Sequence, residues 1–70
     1  MELKFVICIN NKGYEVSLER GKVYRVLDDE KASQHNLIRV VDESGEDYLF
    51  PKEYFVSIKL PKAAEEALVA

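Results

Sequence analysis

Turn-forming residues interrupt this chain so often that, before Pro61, no apolar stretch is longer than a short strand. Asn10-Asn11-Lys12-Gly13 carries strong turn chemistry, because Asn and Gly tolerate positive φ and Asn side chains bond nearby backbone. Arg20-Gly21 makes another turn, and Asp42-Glu43-Ser44-Gly45-Glu46 reads as a Gly-containing hairpin connection. Pro51 cannot donate to a ladder and stops the run before it.

The stretches between these signals are β-forming. Leu3 to Ile9 puts Leu3, Phe5, Ile7 and Ile9 on one face and Val6 and Cys8 on the other, a strand covered on both sides for part of its length. Asn10 to Glu19 keeps only Val16 and Leu18 in alternation and reads as a long excursion with short paired edges. Lys22 to Asp28 is a second strand with Tyr24 and Val26 on its core face. Asp28 to Asn36 is polar and reads as a loop, in which Lys31 to His35 has room for one helical turn. Leu37 to Val41 is a third strand and Asp47 to Phe50 a fourth. Lys52-Glu53-Tyr54 is a single turn before a last strand, Phe55 to Lys59.

Five short strands predict an all-β fold, a small five-stranded barrel, since closure is the economical way to remove sheet edges at this size. Pro61 suits the first position of a helix, and the Ala-rich segment after it carries acids near its start. The expected organisation is a barrel over 1–60 and a short C-terminal helix or tail over 61–70. Alone, such a helix is marginal in water, so it must dock on the barrel, pair with another copy, or fray.

The 70 residues leave room for one domain. A core of this size supplies about 3–5 kcal/mol of net stability, so apolar positions are taken up by packing. Thirteen acidic against ten basic residues give a net charge of −3, which weighs against nucleic acid and anionic membranes as partners. The single cysteine, Cys8, forms no intramolecular disulfide and reads as a buried, inert thiol. Met1 to Ile9 lacks the pattern of a signal peptide and is too short to span a bilayer, so a cytoplasmic location is expected.

Two segments carry a family likeness. Val16-Ser17-Leu18-Glu19-Arg20-Gly21-Lys22-Val23-Tyr24-Arg25-Val26-Leu27 is similar to the diverging turn and second strand of the Src-homology-3 fold, and Leu49-Phe50-Pro51-Lys52-Glu53-Tyr54-Phe55-Val56 resembles its ending. The resemblance covers residues 3 to 59 and implies a five-stranded Src-homology-3-like barrel. In that family a proline-rich peptide lies in a groove of stacked aromatics. Pro51 and Tyr54 match the family's proline and tyrosine, whereas its paired tyrosines fall near Cys8 and Asn10 and its tryptophan near Leu37; the chain has no Trp. The missing walls argue against polyproline recognition. The chain is also similar to small bacterial and phage proteins with a Cys-Ile-x-Asn start, a Gly-Lys-x-Tyr-x-Val strand and a Tyr-Leu-Phe-Pro-x-x-Tyr-Phe ending, a resemblance that implies a fold and no particular activity.

Catalytic and metal-binding sets are not legible. His35 is the only histidine, and with one distant Cys it gives no ligand spacing for a transition metal. The hairpin acids Asp42, Glu43, Glu46 and Asp47 lack the regular oxygen alternation of a calcium loop, and both they and Asp28, Asp29 and Glu30 read as solvated faces and guarded sheet edges. No serine has a nucleophile-elbow setting, and three scattered glycines make no phosphate loop. The expectation is a protein that is not an enzyme and uses no cofactor.

Three binding readings remain. Leu37, Tyr48, Pro51 and Tyr54 are expected at a groove that takes a peptide or protein segment, with Asp28, Asp29 and Glu30 favouring a basic partner. Self-association would use Leu60, Ala64 and Leu68 of the C-terminal segment and the Val6 side of the first strand, taken as exposed. Arg20, Lys22 and Arg25 with Tyr14 and Tyr24 form the one basic, aromatic stretch that single-stranded nucleic acid would use.

Overall fold

The computed structural model describes residues 4–42 and 44–69. The expectations on Leu3, Glu43 and Ala70 fall outside the described residues. Five strands, β1 (Lys4–Cys8), β2 (Val23–Leu27), β3 (Leu37–Val41), β4 (Asp47–Pro51) and β5 (Phe55–Ile58), form one antiparallel sheet in the order β4-β3-β2-β1-β5. Helix α1 (Glu30–Gln34) joins β2 to β3, a 3-10 turn over Lys52–Tyr54 joins β4 to β5, and helix α2 (Lys62–Val69) follows. Among the described residues no ladder pairs β4 with β5, so the sheet is open, with those two strands at its edges.

Directly opposed residues share a face of an antiparallel sheet. The pairings Val6 with Tyr24 and Ser57, Val26 with Val40, Ile38 with Phe50, and Cys8 with Phe55 therefore define one inner face. That face is the core: Val6, Cys8, Tyr24, Val40, Phe50 and Phe55 are buried together, with Val26, Ile38 and Tyr54 packed against them. Leu18 completes it from the long β1–β2 connection.

The connection is not edge-paired as its alternation suggested. Its base is tied by Cys8 N–H to Lys22 O (2.9 Å) and Gly21 N–H to Cys8 O (2.7 Å), and the interior is held by turns. Asn10 Oδ1 accepts from Lys12 N–H at 2.9 Å, Asn11 Nδ2 donates to Leu18 O at 3.0 Å, and Gly13 takes φ +87°, which realises the turn chemistry of the Asn-Asn-Lys-Gly segment. Ser17 and Leu18 N–H both donate to Tyr14 O. This turn breaks the alternation, so Leu18 is 1% exposed while Val16 is 96% exposed.

The segment Asp28 to Asn36 was expected to be a loop, and it holds a helix of five residues. Asp29 caps it by accepting from Ala32 N–H at 3.0 Å, and Ala32 is buried beneath it. Asn36, at φ 57°, ends it in the left-handed conformation that Asn tolerates. Docking of one small apolar side chain and a good cap stabilise a segment too short to be helical alone.

Two further expectations are corrected by burial. Val6 lies in the core, so the Val6 side of β1 is not an exposed surface for self-association. Phe5, on the outer face, is 3% exposed. Leu60 and Glu65 line one cavity together with Phe5, and Leu68 lines a smaller one together with Phe5, so α2 stands near the Phe5 face of its own sheet. Leu60 and Ala64 are half-buried there and Leu68 remains largely exposed.

Candidate interaction groove

Tyr54 is set by the 3-10 turn that Pro51 precedes. Its backbone carbonyl accepts from Ile9 N–H at 2.8 Å, and its hydroxyl donates to Lys12 O at 2.9 Å. The long β1–β2 connection is thereby fastened to the turn, and this brings Tyr14 to the site. The Tyr14 ring meets Tyr54 edge-on, with centroids 6.0 Å apart, and meets Phe50 at 5.2 Å. Edge-to-face pairs at such separations are favourable beyond simple burial.

Pro51 pairs with Leu37 across β4 and β3, and Lys52 N–H donates to Asn36 O at 3.0 Å. The Tyr14–Tyr54 ring pair and the Leu37–Pro51 ladder pair are thus joined through the short turn that Pro51 precedes. Leu37 also borders a cleft of about 1030 Å³ that Lys52, Asp28, Asp29 and Glu30 line. Of the seven residues expected at the groove, Leu37, Asp28, Asp29 and Glu30 share this cleft, with Pro51 as Leu37's ladder partner and Tyr54 in the turn that Pro51 precedes. Tyr48 is not among them: it lies on the opposite face of β4 from Pro51, and its hydroxyl donates to Glu46. That carboxylate, first by the hydrogen bond and then by its charge, pushes the Tyr48 phenol above its ordinary pKa.

The three acids differ in what they already do. Asp28 pairs with Lys4 at 3.0 Å on an exposed surface. Asp29 caps α1 and accepts from Arg39 Nε at 2.8 Å, and the Ala32 N–H and the guanidinium hold its carboxyl below the usual carboxylate range. Arg39 also donates from Nη1 to Asp47 at 2.8 Å, so one cation ties α1, β3 and β4. Glu30, in the first turn of α1, is exposed at the cleft rim.

Tyr14 was the groove residue that sequence reasoning assigned elsewhere. Its separation from Pro51 and Tyr54 hid the contact; the Asn10-Asn11-Lys12-Gly13 turn, which folds the connection back, was the available signal. Of the basic stretch, Tyr24 is in the core, where its hydroxyl accepts from Glu19 N–H at 2.7 Å and Lys22 Nζ sits 5.8 Å from its ring centroid. Neither tyrosine of that stretch stands beside Arg20 and Arg25 as a free stacking platform. Among the described residues no three His, Cys, Asp or Glu side chains are grouped to hold a metal ion, and no helix is long and apolar enough to cross a membrane.

No protein-family model matches the chain, and neither the curated proteins nor the solved structures give a match.

Proposed function

We propose that the chain is a Src-homology-3-like small barrel acting as a non-enzymatic interaction module, which takes a peptide or protein segment along Tyr14, Tyr54, Pro51 and Leu37. The sheet order and the 3-10 turn between the two edge strands support the barrel reading. The observation that carries the binding reading is the Tyr14–Tyr54 ring pair near Pro51, a partly exposed aromatic wall in which Tyr14 joins the tyrosine that the resemblance already matched. An apolar side chain of the partner packs against these rings, and a basic residue reaches Glu30 beyond Leu37. Asp28 and Asp29 contribute less to that attraction, because Lys4 and Arg39 already neutralise them.

Selection of a random peptide library against the folded protein tests this. Enriched peptides are expected to share an apolar residue and a nearby Lys or Arg. Tyr14→Ala is expected to weaken them by about 30-fold, the size of an aromatic hot spot, and Glu30→Lys by less, while Tyr48→Ala leaves them unchanged. Equal binding by wild type and Tyr14→Ala, both folded by circular dichroism, would sink the groove.

A further inference from the structure

Phe5 stands on the outer face of the sheet, opposite Arg25 and Ile58, yet it is 3% exposed. Val56, in the next pair along that face with Ile7, is 47% exposed. The element nearest Phe5 on this side is α2: Leu60 and Glu65 line one cavity with Phe5, and Leu68 lines a second. Very little holds α2 there. Lys59, Leu60 and Pro61 belong to no element and connect it to β5, and the N–H groups of Ala64 and Glu65 donate to Pro61 O at 2.9 and 3.1 Å. Among the described residues no hydrogen bond or ion pair joins α2 to the sheet. Lys62, Ala63, Glu66, Ala67 and Leu68 are exposed, and only Ala64 and Glu65 are half-buried. A helix of eight residues is unstable alone, and no basic residue in the last turn of α2 complements its dipole.

We propose that α2 is a hinged cover over Phe5, which lifts and melts as a unit while the five-stranded sheet stays folded. Lys59 to Pro61 is the hinge. The cover is seated through Ala64, with Leu68 four residues on along the same helix face. Lifting it breaks no hydrogen bond of the sheet, and segments with so few buried apolar contacts open at the low end of a protein's range of opening free energies. The open form bares Phe5 beside Ile58, Ile7 and Val56 as one apolar face. It also takes Glu65 out of the wall of the cleft that Asp28, Asp29 and Glu30 line. The position of α2 therefore sets both how much apolar surface the outer face shows and the charge at one side of the cleft.

Amide exchange of the full chain, read residue by residue, tests the cover. In the wild type the α2 amides from Glu65 to Leu68 are expected to be protected relative to an unfolded chain, yet to exchange at least about tenfold faster than the β1–β2 ladder amides. Two variants in the first turn separate the seat from the helix. Ala64→Glu puts a carboxylate at the half-buried position, and Ala63→Glu puts the same side chain at an exposed one, at comparable cost to the helix itself. Ala64→Glu is expected to strip protection from α2 alone, to shift the ring resonances of Phe5 but not those of Phe55 on the inner face, and to raise binding of an apolar dye. Ala63→Glu leaves all three as in the wild type. Wild-type α2 amides as protected as the ladder, or with no protection at all, would overturn the proposal. So would loss of ladder protection in Ala64→Glu, an unmoved Phe5 ring, or equal behaviour of the two variants.

Discussion

The hydroxyl of Tyr54 donates to the carbonyl oxygen of Lys12 across 42 residues of sequence, at 2.9 Å. That bond joins the tip of the long β1–β2 connection to the turn between the two edge strands. Tyr54→Phe keeps the ring and removes only the bond, so it is expected to cost about 1 kcal/mol of stability by urea unfolding. The local effect is more diagnostic. Amide exchange at Asn10 to Ser17 should accelerate more than exchange in β2 and β3; uniform acceleration would mean that the bond does not hold the connection.

Leu18 and Val16 stand two residues apart in the same connection and differ as much as two aliphatic side chains can. Leu18→Ala leaves a cavity in the core it shares with Cys8, Val40 and Phe50, at an expected cost of about 2–5 kcal/mol. That is comparable to the whole net stability of so small a chain, so the variant should be largely unfolded at room temperature by circular dichroism. Val16→Ser is expected to change stability by less than about 0.5 kcal/mol. Similar effects at the two sites would contradict the turn at Tyr14 to Leu18.

These two residues also show where the sequence stops being informative. Strands β2 to β5 were legible because each is bounded by Gly, Pro or a polar run, and because alternation in β2 and β3 survives in the fold. Period-two reasoning failed at Val16 and Leu18 because the backbone there turns on the Tyr14 carbonyl, a choice made by the surrounding contacts. It failed in another way at α1, where the stabilising features are tertiary: burial of Ala32 and the Arg39 contact to the capping carboxylate. Pro51 and Tyr54 were readable from their local motif, whereas Tyr14 reaches them only through the folded connection. The Asp28 and Asp29 pairings to Lys4 and Arg39 cross 24 and 10 residues, and no local pattern encodes them.

Asp29 supplies a pH signature. Its carboxyl is held below its ordinary value first by the Ala32 N–H and then by Arg39, so the charged form is favoured in the folded state. A depressed carboxylate contributes stability that is fully present above its unfolded pKa, about 3.9, and is lost as pH falls through the lower folded value. Asp29→Asn keeps a capping oxygen and removes the charge. The melting temperature of wild type is therefore expected to exceed that of Asp29→Asn at neutral pH, and the gap to close below about pH 4. A gap independent of pH would assign the effect to hydrogen-bond geometry alone. Asp28→Asn, at an exposed pair with Lys4, should show a much smaller gap.

Cys8 combines complete burial with a thiol that donates to Asn10 O at 3.2 Å, and removal from water pushes its pKa up. That burial opposes formation of the thiolate, the reactive species. At mildly alkaline pH, the native protein should react with a disulfide reagent more slowly than the unfolded chain by a factor that reports stability, at least about two orders of magnitude for a core worth roughly 3 kcal/mol. The reaction should then track opening of the core: Tyr54→Phe accelerates it modestly and Val16→Ser leaves it unchanged. Rapid labelling of the wild type, independent of added urea, would show that the β1 end of the sheet opens without the rest. That would remove Cys8 from the cooperative core formed with Leu18 and Phe55.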